Sequence, residues 1–145
     1  MRRIVTWLVA VLVLGTATLS VADMAVETDE ERIDRLIDDL ASSRHKGETL
    51  LRAVDLSRAP LEVSVGEEVA RYRHGDDDAL LGRAAELDEE LGGGPLDVRQ
   101  RQITVEGDRA RVIVNLGHDD DLVGCDVTLH RSGDRWLLER LRIMG

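Results

Sequence analysis

A chain of 145 residues with a formal net charge of −10 repels polyanions, which excludes nucleic acid and anionic membrane surfaces as partners. Phe is absent, and two Trp and one Tyr leave no aromatic platform on which bases or sugars could stack. A single cysteine, Cys125, rules out an internal disulfide.

The first 22 residues read as a targeting segment. Arg2 and Arg3 supply a positive start, Ile4 to Leu14 is apolar apart from Thr6, and Ser20-Val21-Ala22 presents the small residues that signal peptidase reads. Cleavage is expected after Ala22; the alternative is an uncleaved anchor, since Ile4 to Ala22 is just long enough to span a bilayer. Without Arg2 and Arg3 the 19 basic residues become 17 against 29 acids, so the mature chain carries −12. Those acids are concentrated before residue 98, while the remainder is arginine-rich and neutral. Lys46 is the only lysine. The arginine bias fits a GC-rich bacterial genome, and the expected destination is the periplasm or the cell exterior, off the membrane once cleaved.

The mature chain is one domain with a single modest core. Its helical part, 28–91, opens with Thr28-Asp29-Glu30-Glu31, a capping box with acids where the helix dipole favours them. Ile33, Leu36, Ile37 and Leu40 then form one apolar stripe, predicting a helix over 29–41. A second short helix is predicted over 48–56. Leu61, Val63 and Val65 alternate like a strand, but Ser64-Val65-Gly66-Glu67 also fits a capping box, and a helix over 66–73 is the expectation. Asp76, Asp77 and Asp78 precede a further helix bearing Leu80, Ala84, Leu87 and Leu91, which Gly92-Gly93-Gly94-Pro95 ends.

The sheet part, 97–144, reads as four strands. Ala110, Val112, Val114 and Leu116 alternate with polar residues, as do Val123, Cys125, Val127 and Leu129. Gly107-Asp108 and Gly133-Asp134 provide hairpin turns. Val98 is out of step with Ile103 and Val105, and Trp136 and Leu138 are out of step with Leu141 and Ile143. Each phase change predicts a β-bulge. The expected fold is therefore α+β, with N-terminal helices packed on a strongly bent antiparallel β-meander of about four strands. Cys125 falls on the apolar face and reads as a small buried hydrophobe.

Helices first, then Asp97-Val98-Arg99, a Gly-turn hairpin and the closing Arg131-Ser132-Gly133-Asp134-Arg135-Trp136 turn resemble the nuclear transport factor two-like superfamily. The cystatin-like fold is a structural rival. The resemblance implies helices set in the concave face of a bent sheet, leaving a cone-shaped pocket; Tyr72 and Trp136 are the aromatic candidates for its lining. The superfamily holds isomerases, polyketide cyclases, dehydratases and exported members with no enzymatic role, so fold does not choose function.

Three chemistries remain to be placed. Asp126 and His130 share one strand face and form a candidate acid/base pair, although that face is opposite the apolar one. His74 with Asp76, Asp77 and Asp78, and His118 with Asp119, Asp120 and Asp121, supply oxygens and imidazoles for a divalent cation without EF-hand or zinc spacing. Arg99, Arg101, Arg109, Arg111, Arg140 and Arg142 offer a docking patch or a salt-bridged outer face. No cofactor motif is present. The expected role is non-catalytic, binding a small apolar ligand or a cell-envelope protein as a monomer or homodimer; the alternatives are a pocket enzyme of the isomerase or dehydratase type and a cation-binding protein.

Overall fold

Two residues set the shape of the sheet. In the computed structural model, which describes residues 27–144, Arg99 has no partner between the pairs Val98–Leu116 and Gln100–Asn115. Glu139 likewise falls between Leu129–Leu138 and Thr128–Arg140. These are the two bulges that the phase changes predict. An extra residue on one strand bends it and increases its twist, so both restore the apolar residues beyond them to the inner face. Gly117 leaves space for the side chain of the bulged Arg99: a Cβ there would stand 2.8 Å from Arg99 Nε.

The elements in chain order are α1 (Asp29–Ser42), α2 (Lys46–Arg52), β1 (Leu61–Val65), β2 (Glu68–Tyr72), α3 (Asp77–Glu90), β3 (Asp97–Glu106), β4 (Arg109–His118), β5 (Asp121–Ser132) and β6 (Arg135–Met144). The class is α+β, as expected. The four-strand meander β3 to β6 is antiparallel throughout, and β1 and β2 extend it to six strands in the order β2-β1-β6-β5-β4-β3. The targeting segment of residues 1–22 lies outside the described residues. None of the described helices is long and apolar enough to cross a membrane.

The helix expected over 66–73 is a correction. Residues 61–72 form a hairpin in which Val65 pairs with Glu68 across a two-residue turn, with Gly66 at φ 59°. Glycine accepts that conformation without steric cost, and a two-residue turn opening on such a glycine matches the twist of the flanking strands. The capping-box reading fails because Val63 and Val65 are claimed by β6. They pair in parallel with Leu141 and Ile143, and Leu61 and Val63 are buried against the helices.

Only the second half of β6 is covered by β1. Along the first half, the Leu138 N–H donates to Ala53 O at 2.8 Å and Arg135 Nη2 donates to Arg52 O at 2.7 Å. The chain at the end of α2 thus satisfies the Leu138 N–H of this strand edge, and the Arg135 side chain ties down the last α2 carbonyl. All three helices lie on the concave face. Ile33, Leu80, Leu61, Val112 and Leu129 form the most deeply buried part of an almost wholly aliphatic core.

Helix α1 is anchored at its start and along its middle. Thr28 Oγ1 accepts from Glu31 N–H at 3.2 Å, and Glu31 Oε2 accepts from Thr28 N–H at 2.9 Å, forming the predicted capping box. Arg101, on the inner side of β3, reaches across to the carboxylates of Asp34 and Asp38. Thr28→Ala removes one of the reciprocal bonds and should lower stability by about 1 kcal/mol in urea denaturation, with an unchanged dependence on denaturant.

Candidate functional site

The concavity is incompletely filled. A cavity of about 120 Å³ lies between the three helices and strands β4 to β6. Its sheet side is Val114, Leu116, Cys125, Val127, Leu138, Leu141 and Ile143, and its roof is aliphatic side chains from all three helices. The absence of Phe has a direct consequence here. Rings are the bulkiest apolar fillers, and the side chains that meet here from helices and sheet are aliphatic and leave a gap.

Two charged groups stand at the cavity, Lys46 and Asp88. Lys46 opens α2 and its side chain is only 14% exposed; Asp88, in the last turn of α3, is 26% exposed. Lys46 Nζ donates to Ser43 O at 2.9 Å and to Gly94 O, and lies 3.3 Å from Asp88 Oδ1. That last contact is ionic without good hydrogen-bond direction, since Oδ1 is buried and accepts no hydrogen bond. The pair gathers the ends of α1 and α3, the start of α2 and the Gly-rich loop. Leu96 N–H adds a bond to Ala41 O at 2.8 Å.

Neither charged residue was a sequence candidate, yet one carried a signal. Asp88 is four residues after Ala84, which places its carboxylate on the buried stripe of Leu80, Ala84 and Leu87. Tyr72 and Trp136, the aromatic candidates for the pocket lining, do not line this cavity. Tyr72 is buried beside Leu61 at the edge of the core, where burial raises its phenol above the usual range. Trp136 is buried at the start of α1, its indole Nε1 donating to Asp29 Oδ1 at 3.2 Å, with the Arg131 guanidinium 5.9 Å from its ring centre.

The other candidates lie elsewhere. Asp126 faces outward and accepts from Arg111 at 2.6 and 3.0 Å; these bonds hold its carboxyl below the usual carboxylate range. His130 is opposite Arg109, four residues along the same strand, so the two side chains are about 13 Å apart and do not form a pair. The outer arginines are largely matched by acids: Arg109 with Glu139, Arg140 and Arg71 with Glu62. Asp76 precedes α3, but its carboxylate accepts from Arg73 N–H rather than capping the helix, and Asp77 and Asp78 are exposed. Asp119 turns the β4–β5 hairpin at φ 54°, with Asp120 and Asp121 in solvent and His118 packed against Gly92. Among the described residues no three His, Cys, Asp or Glu converge as metal ligands.

No protein-family model matches the chain, and no curated protein matches it significantly. Solved structures do. A de novo designed protein with a curved β-sheet superposes with a TM-score of 0.63 at 13% identity, covering 81% of this chain and 100% of the other. A dehydratase-like protein of the NTF2-like family from Streptomyces avermitilis gives 0.61 at 15% identity, over 78% and 92%. An NTF2-like protein of unknown function from Silicibacter pomeroyi gives 0.55 at 15% identity, over 81% and 98%. At these identities the likeness concerns architecture, and the fold is nuclear transport factor two-like.

Cys125 reports on the dryness of the cavity wall. Burial pushes its thiol from an ordinary value of 9.0 up to about 11. A thiol whose folded value exceeds its unfolded one stabilises the fold below the unfolded value. That contribution, about 2–3 kcal/mol, disappears as pH rises from about 9 to about 11. Unfolding free energies measured across this window should fall more steeply for the natural chain than for Cys125→Ala; parallel profiles would mean that the thiol is wet.

Proposed function

We propose that the protein is an exported, non-catalytic binding module that holds a small apolar molecule in the cavity beneath its helices. The single observation behind this reading is the cavity's wall, which is aliphatic carbon everywhere except at Cys125 and the Lys46–Asp88 pair. Such a surface gives water no partner, whereas an apolar solute gains burial there. A cavity of about 150 Å³ with similar walls is known to stay dry and to bind benzene; one of about 120 Å³ is matched to a solute of that order.

An isomerase or dehydratase reading has less to stand on. Acid–base work at an enolisable carbon needs a carboxylate or phenol aimed at the substrate. Tyr72 and Asp126 do not reach the cavity, and Asp88 has Lys46 against it. Export rests on residues 1–22, and N-terminal sequencing of the protein recovered from the envelope of an expressing bacterium should begin at Asp23. A chain still starting at Met1 would make it membrane-anchored instead.

Filling the cavity tests the binding reading. Ala84 is buried on its helical wall. Ala84→Leu should raise stability by about 1 kcal/mol, the usual gain from occupying an existing void. Benzene at millimolar concentration should raise the melting temperature of the natural protein and leave that of Ala84→Leu unmoved. A loss of about 1–3 kcal/mol in Ala84→Leu, the cost of overpacking, together with no benzene effect, would overturn the proposal.

A further inference from the structure

In a chain with 29 acids against 19 bases an arginine has carboxylates to choose from, and most of those described take one. Arg71, Arg109 and Arg111 hold theirs at 2.9, 2.7 and 2.6 Å. Arg52 and Arg135 break the pattern. Among the described residues neither forms an ion pair: Arg52 Nη2 donates to Thr49 Oγ1 at a long 3.4 Å, and Arg135 Nη2 to Arg52 O at 2.7 Å. The two meet Arg32 around a cleft of about 360 Å³ backed by Leu36 and Trp136. Arg32 belongs to α1, Arg52 ends α2 and Arg135 begins β6, so three separate elements supply the three guanidiniums. Arg32 Nη1 donates to Asp134 O at 3.3 Å. Backbone carbonyls thus position Arg32 and Arg135, and a carbonyl holds a guanidinium without cancelling its charge. Two acids also line the cleft. Glu27 is engaged by Arg35 at 2.7 Å and stands 3.8 Å from Arg32 Nε, while Asp134 is exposed.

We propose that this cleft binds the oxyanion group, carboxylate or phosphate, of a small molecule, with Arg52 and Arg135 as its donors and Arg32 beside them. A guanidinium carries five N–H donors in a planar fork that matches two oxygens of such a group. Arg52 and Arg135 each spend one Nη2 on the protein and keep the rest for a ligand. Three like charges around one cleft repel, and an anion among them offsets that repulsion. The negative charge of the whole chain does not oppose this. It repels polyanions at long range, whereas charges beyond a Debye length of about 8 Å are largely screened at physiological ionic strength. The cleft is also separate from the apolar cavity, which none of these arginines lines, so either site stands without the other.

Inorganic phosphate and acetate serve as probes of the two groups. Calorimetric titration at constant ionic strength should show saturable binding of at least one of them, and the tighter probe identifies the group. Arg52→Gln and Arg135→Gln should each weaken that binding about tenfold, as expected for a lost charge-assisted hydrogen bond. Both residues are exposed, so neither substitution disturbs the core. Arg109→Gln removes the same charge at the Glu139 pair, away from the cleft, and should leave binding unchanged. Saturable binding of neither probe would overturn the proposal. So would an equal weakening in Arg109→Gln, since binding would then follow overall charge rather than this cleft.

Discussion

Everything in this molecule depends on two strands each carrying one residue too many. Without Arg99 and Glu139 out of register, the apolar residues beyond each bulge would change faces, and the sheet would be flatter. The bend produces the concavity, and the concavity accepts three helices at once. Gly117 leaves space for the Arg99 side chain, and Glu139 accepts from Arg109 at 2.7 Å. Curvature is thus supported on the outer face by ion pairs and on the inner face by packing.

That geometry meets an unusual composition. A concave sheet with Phe absent and its Tyr and Trp both at the periphery of the core must be filled by Leu, Ile, Val and Ala. Branched side chains from three helices and three strands meet in the middle and leave about 120 Å³. Side chains that face such a gap forgo dispersion contacts on that side. A fold that keeps such a void bears a cost that a bound solute can offset. The same position is closed by Lys46, the only lysine, held by two carbonyls and one carboxylate where three helices come together.

Much of the architecture was legible because it rests on periodicity. The α1 capping box, the α3 stripe, the four meander strands and both bulges follow from patterns of 3.6 and 2 residues and from interruptions in them. The hairpin at 61–72 was not legible for a physical reason. Its facing is decided by pairing of Val63 and Val65 with Leu141 and Ile143, about eighty residues away, and no local pattern carries that information. The site was less legible still. Tyr72 and Trp136 were sought because aromatics are the usual pocket lining, whereas here they pack at the edges and leave the centre aliphatic. Asp88 was masked by the run Asp88-Glu89-Glu90, where one half-buried carboxylate stands before two exposed ones. The two Asp-rich loops attract notice as sequence, yet they serve as turn and helix-start residues.

The claim that matters most is that the space beneath the helices is an apolar ligand site. Xenon is the most direct probe of it, being apolar, uncharged and small enough for a void of this size. Crystals of the protein pressurised with xenon should show one strong anomalous peak bounded by Cys125, Val127 and Leu141. Ordered water in that position, or no xenon there at all, would contradict the account.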